Sequence, residues 1–130
     1  MYVVSIRYPR TRGQEFNLQH WRDVHMPKGI GTYNKTNGFI PKRVMIQHSV
    51  FGMDGRPEST DSYATVWLVF DELKGLEGFM RLHNDSVKSA ELERDFDNYA
   101  PVPPHIALGE FEIFEDMDAI LKQGSILLAN

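Results

Sequence analysis

The stretch from Phe16 to Gly31, FNLQHWRDVHMPKGIG, sets a histidine two residues ahead of a proline inside what otherwise reads as an amphipathic helix. His25 is the residue with chemistry to offer. A free imidazole titrates near ~6.5, which suits proton transfer, and burial would push that value down. Pro27 removes one amide donor and crowds the preceding turn, freeing the carbonyl of Asp23, so a kink is predicted near residues 23–27. Interrupting a helix interior costs about 3 kcal/mol. It persists where the surroundings over-determine it or where it serves something. Leu18, Trp21, Val24 and His25 share one helical face, which points His25 toward a sheet or a cavity rim. There it could act as a general acid/base or donate a hydrogen bond to a substrate carbonyl. The plain alternative is a satisfied histidine that clamps two helix segments together.

Other side chains could join it. Tyr8 ends a strand-like run beside Pro9, where a phenol could hold an enolate or carbonyl oxygen in a dry pocket; otherwise it packs on the adjoining loop. Trp67 shares strand parity with Tyr63 and Thr65, a varied set suited to a ligand-facing wall, or to burial at a subunit interface. His83 falls on the apolar stripe of a second helix, where it could approach His25 or simply pack between helices. With Trp21, these residues form the expected ligand-contacting set. Asp95, Asp97 and Asn98 precede YAPVPP and read as a solvated acidic loop. A carboxylate there that met His25 would orient its ring and raise its basicity.

No metal site is expected. His20 and His25 are five apart, about 140° divergent on an α-helix, and there is no HExxH pattern. No nucleophile elbow and no glycine-rich phosphate loop is present.

The 130 residues carry no cysteine, which excludes disulfides, thiolate metal sites and a cysteine nucleophile. The net charge is −4 and the basic residues are scattered, so no nucleic-acid footprint is expected. No run approaches the ~20 apolar residues of a membrane span. MYVVSIRYP looks like a strand rather than a signal peptide, and a cytoplasmic protein is expected.

Stepping along the chain, strands are predicted over 2–8, 42–51, 62–70 and 105–114. Ser62–Phe70 is apolar on both parities and therefore central. One helix starts at Asn17 as cap. A second runs over 72–93 behind an Asp71 cap, with Leu73, Leu76, Phe79 or Met80, His83 and Val87 as its buried stripe, weakened by Gly75 and Gly78. The segment 94–104 reads as irregular, and the tail 115–130 as a short helix with an apolar end. The order β-α-β-β-α-β over a single domain, 1–130, is the ferredoxin-like α+β arrangement, a four-stranded antiparallel sheet with both helices on one face. The bare face, and the apolar ILLA in the tail, call for a cover. A second copy across a two-fold axis supplies one, making a homodimer with a small-molecule cavity between sheet and helices.

The strand ending Tyr8-Pro9, then Phe16, Trp21 and His25-Met26-Pro27, followed by YATVWLVF, a helix and Asp97-Asn98-Tyr99, resemble the EthD-like branch of the dimeric α+β barrel superfamily over roughly residues 2–115. The resemblance implies that fold and a link to ether degradation beside an oxygenase system. It places the chain near polyketide cyclases, cofactor-free monooxygenases, isomerases and haem-handling enzymes. Two functions are then expected. One is an enzyme acting on a small apolar, aromatic, polyketide-like or ether-pathway molecule, either oxidoreductase-like or cyclase/isomerase-like. His25 would move the proton, Tyr8 would hold the oxyanion, and no cofactor would take part. The other is a non-catalytic dimeric ligand-binding protein serving an oxygenase pathway. Haem, with His25 or His83 as axial ligand, is a lesser branch of the second.

Overall fold

Four strands whose alternate residues are apolar set the frame of the computed structural model, which describes residues 1–129. They are β1 (Tyr2–Pro9), β2 (Arg43–His48), β3 (Ser62–Phe70) and β4 (His105–Glu110), all antiparallel in the order β2-β3-β1-β4. This is the ferredoxin-like α+β arrangement expected from the element order. β3 is central, as its doubly apolar pattern requires. The register pairs Tyr8 with Ala64, Ile6 with Val66 and Val4 with Leu68, and sets Ile6 against Ile106 of β4. These residues, with Val44 and Ile46 of β2, face the helix layer.

The first helical stretch is continuous but not uniform. α1 (Leu18–His20) begins at Asn17, whose side chain accepts from the His20 amide at 3.0 Å. A π-helical turn, Trp21–His25, follows, and α2 (Met26–Asn37) continues to Gly38, which closes it in the left-handed conformation. The irregularity predicted near Pro27 thus takes the form of a wide turn rather than a break. The Met26 amide reaches back five residues to the Trp21 carbonyl, and Pro27 sits in the first turn of α2, where its missing amide costs nothing.

The second helix is shorter than predicted. α3 (Lys74–His83) stops where Asp85 captures the amides of Val87 and Lys88 at 3.0 and 3.1 Å, and α4 (Ala90–Asp95) starts afresh. Asp71 does not cap α3; its carboxylate accepts from Lys42 Nζ at 3.2 Å. The buried stripe is Gly75, Leu76, Gly78 and Leu82, whereas Leu73, Met80 and Val87 are exposed. The two glycines serve packing. Tyr33 Oη donates to the Gly75 carbonyl at 2.8 Å, and Asn37 Nδ2 donates to that of Gly78 at 3.3 Å. A methyl at Gly75 would run into the Phe70 ring, and one at Gly78 would meet Tyr33 Oη at 2.6 Å. Gly75→Ala is therefore expected to lower stability by about 1–3 kcal/mol, although alanine is the better helix former. Chemical denaturation that found the variant as stable as its parent would refute this packing account.

β4 ends at Glu110, four residues before the predicted end; Glu110 pairs with Tyr2, and the Phe111 amide takes the Met1 carbonyl. β2 likewise ends at His48 rather than residue 51. The segment 94–104 is partly ordered by a 3-10 turn, Phe96–Asn98. The tail forms α5 (Met117–Leu128), capped by Asp116, and none of its residues is buried. No helix among the described residues is long and apolar enough to cross a membrane.

Candidate functional site

The helix layer does not lie flat on the sheet. Between them lies a cavity of about 700 Å³, walled by Ile6, Val66, Leu68, Phe79, Leu82, Phe96 and Ile106 and by other mostly apolar groups. Tyr8, Trp21, His25 and Tyr99 bring polar atoms to it. Tyr8 arrives on β1 by parity, Trp21 and His25 from the π-helical turn, and Tyr99 just after the 3-10 turn.

These groups are chained by hydrogen bonds. His25 Nδ1 lies 3.1 Å from Asp95 Oδ2, and His25 Nε2 lies 3.1 Å from Tyr99 Oη. Tyr99 Oη is 3.4 Å from Tyr8 Oη, which also accepts from Trp21 Nε1 at 3.0 Å. Asp95 is 6% exposed, and its other oxygen accepts from Asn98 Nδ2 at 3.0 Å and meets His20 Nε2 at 2.8 Å.

The charges follow from these contacts. Burial acts to raise the Asp95 pKa, but the hydrogen bonds from Asn98, His20 and His25 outweigh it and hold the carboxyl at about 2. Asp95 is thus an anion that can only accept, so Nδ1 of His25 carries the proton and Nε2 is left to accept from Tyr99. Burial lowers the His25 pKa below its usual 6.5, against the opposing pull of Asp95, and the ring is neutral at pH 7. Burial pushes both phenols, Tyr8 and Tyr99, upward, so each remains a donor. The proton order runs from the Trp21 indole to Tyr8, Tyr99, His25 and the Asp95 anion.

Two of these groups make the fold acid-sensitive. The depressed Asp95 stabilises fully above its unfolded value of 3.8, and that contribution is lost as pH falls toward 2. His25, also depressed, is protonated first in the unfolded chain, so stability declines as pH drops below 6.5. Urea midpoints should therefore fall between pH 7 and pH 5, and His25→Asn should flatten that segment. An unchanged slope in the variant would remove His25 as its source.

The expected site residues separate into two groups. His25, Tyr8, Trp21 and His83 line the cavity, with His83 at an exposed position stacked on Phe79, ring centroids 5.8 Å apart. Tyr63 and Trp67 do not line it. Their parity opposes that of Ala64, Val66 and Leu68, so they stand on the other face of the sheet. Tyr63 Oη donates into the loop carbonyls of Thr11 and Gln14 at 3.0 and 2.6 Å, and Trp67 packs on Phe111. The aliphatic side of β3, rather than the varied one, makes the cavity wall.

The sequence reading did not name Tyr99 as a site residue, and it offered Asp95 either as a solvated loop residue or as a carboxylate meeting His25, the second of which matches the contact found. It also separated His20 from His25 by an α-helical angle. A turn closed by i→i+5 bonds holds more residues, so five residues span about one turn and both rings reach Asp95. The signal was Pro27 itself, which marks where the helix widens. The two imidazoles grip opposite oxygens of one carboxylate, and no group of three or more potential ligands among the described residues is placed to hold a metal ion.

No family model matches the chain, and no curated protein matches it. Solved structures do. An EthD-like protein from Ralstonia eutropha JMP134 superposes with a TM-score of 0.67 at 21% identity, over 88% of this chain and 95% of that one. An ethyl tert-butyl ether d (EthD) family protein from Bacillus halodurans C-125 gives 0.56 at 17% identity, over 86% and 99%. The strand order, the paired helix layer and these superpositions agree: this chain has the fold of the EthD-like proteins.

Proposed function

We propose that the chain is an acid–base enzyme acting on a small, largely apolar molecule that carries a carbonyl, enol or phenol oxygen. The observation that supports this reading is a proton chain anchored on a buried anion and ending in an otherwise apolar cavity. Tyr8, fixed by the Trp21 indole, turns its one hydroxyl proton from Tyr99 to the substrate oxygen as negative charge develops there. The proton released from the substrate passes to Tyr99 as Tyr99 gives its own to His25 Nε2, and Asp95 stabilises the imidazolium. The resulting enolate or phenolate can isomerise, cyclise, lose water or react with oxygen, so the relay serves both the cyclase/isomerase-like and the monooxygenase-like options. A simple ether, as in the name of the Bacillus relative, offers no proton for this chain to take. A carbonyl- or hydroxyl-bearing product of such a compound does.

No cofactor is part of the proposal. Both ring nitrogens of His25 are engaged, and iron ligation there would cost the Tyr99 bond. The working unit we propose is a homodimer, because the core packing of the described helices lies on the opposite side of the sheet from Trp67, Tyr63 and Met45.

One observation favours a second reading, a ligand-binding accessory protein. No buried side-chain nitrogen or oxygen among the described residues lacks a partner, which a purely structural histidine would also satisfy. Mass spectrometry of the molecule that co-purifies, followed by turnover assays on it with the parent and His25→Gln, separates the two. Retention without turnover, unaffected by His25→Gln, would replace the enzyme reading by the carrier reading.

A further inference from the structure

The 12 residues of α5 carry an apolar stripe with no cover. Met117, Ile120, Leu121, Leu127 and Leu128 recur at helical spacing on one side, with Asp118, Lys122, Ser125 and Ile126 on the other. Leu121 is 68% exposed and Leu128 89%. Isolated helices of ~12–15 residues or fewer are marginal in water, so a helix of this length needs a surface to hold it.

The molecular surface gives the same answer in area. A compact monomer of 15.0 kDa exposes about 7,000 Å². This chain exposes 8,916 Å². The excess, about 1,900 Å², is more than twice the ~800 Å² per partner of a standard interface and lies in the range of intertwined, obligate dimers. A receptor strip also exists. β4 is an edge strand, and α3 lies over β1 rather than over it. On the helix side of β4, Ile106 and Leu108 are left 37% and 40% exposed, and Ile106 is also part of the cavity wall.

We propose that α5 is an exchanged arm: in a dimer of this chain, each copy lays the apolar stripe of α5 along Ile106 and Leu108 of the other, as a third helix in that layer. The arm then closes the β4 side of the cavity, so each site is completed by the second copy. Reciprocal exchange is self-complementary and ends at two chains rather than growing into fibres. This rests on the dimer proposed above, and it adds the means of association and a role in the site.

Light scattering on the full-length protein separates the two ideas. The parent should be a dimer at micromolar concentration, and Leu121→Asp/Leu127→Asp should weaken association at least 100-fold while circular dichroism stays that of a folded chain. A monomeric parent overturns both the dimer and the arm. A parent dimer that the two aspartates leave intact overturns the arm alone. The absence of cysteine permits a second readout. Leu108→Cys protein, mixed with Leu121→Cys protein and treated with a short bismaleimide, should give a covalent pair containing one chain of each. A link formed within single chains of Leu108→Cys/Leu121→Cys would instead show the arm folded on its own body, and would refute exchange.

Discussion

Replacing His25 with alanine is expected to lower kcat by about 10²–10⁴-fold on the substrate identified from the purified protein, the span typical of a positioned general acid/base. The change removes the imidazole that accepts the Tyr99 proton and leaves the apolar wall in place, so KM should move little. The parent rate should rise with pH through a value below 6.5 and then level, because the neutral ring is the competent form and burial lowers its pKa. Loss of that rise in His25→Ala, with residual turnover, would tie the profile to this ring. Turnover at the parent rate would strip His25 of any part in proton transfer and leave it a structural clamp.

Removing the carboxylate should be costly in a different way. Asp95→Ala is expected to destabilise the fold by about 3 kcal/mol, since charge-assisted hydrogen bonds contribute roughly 1.5–3 kcal/mol each and two of the three donors are partly exposed imidazoles. Asp95→Asn keeps the shape and one acceptor, and should recover part of the loss. The variant should also free His25 to change tautomer, which nitrogen-detected NMR of the imidazoles would register as loss of the Nδ1–H form. A denaturation midpoint within experimental error of the parent would mean that Asp95 does not hold the two helical segments together.

The sheet was legible because strand parity is a strict period. Once Tyr2–Tyr8 and Ser62–Phe70 are strands, their cavity side and their outer side follow, and only the choice between sides remained. For Tyr63 and Trp67 the sides are reversed from expectation: the varied residues stand on the outer face, and the cavity uses plain aliphatic residues beneath the helices. His25 and Tyr8 were legible from type and position. Asp95 was not, because its burial depends on where α4 docks, and nothing local in RDFDNY separates a solvated carboxylate from a buried one. Tyr99 was hidden for the same reason. The helix break after His83 was available from Asn84-Asp85-Ser86, an Asx-turn signal overridden by the apolar stripe that runs past it.

The wide turn at Trp21–His25 also sets a length rule. A helix that makes one loose coil holds one residue more than a regular helix of the same span, so the surplus residue is absorbed locally and the two ends keep their phase. Removing one of Arg22, Asp23 or Val24 would let the coil tighten to a regular helix and leave the two histidines four positions apart, about 40° out of line. Both imidazoles would then still share one face and remain able to reach the carboxylate. Point substitutions on its outer side, at Arg22 or Asp23, leave the count intact. The coil is therefore the place where this helix can lose one residue without turning its two ends against each other.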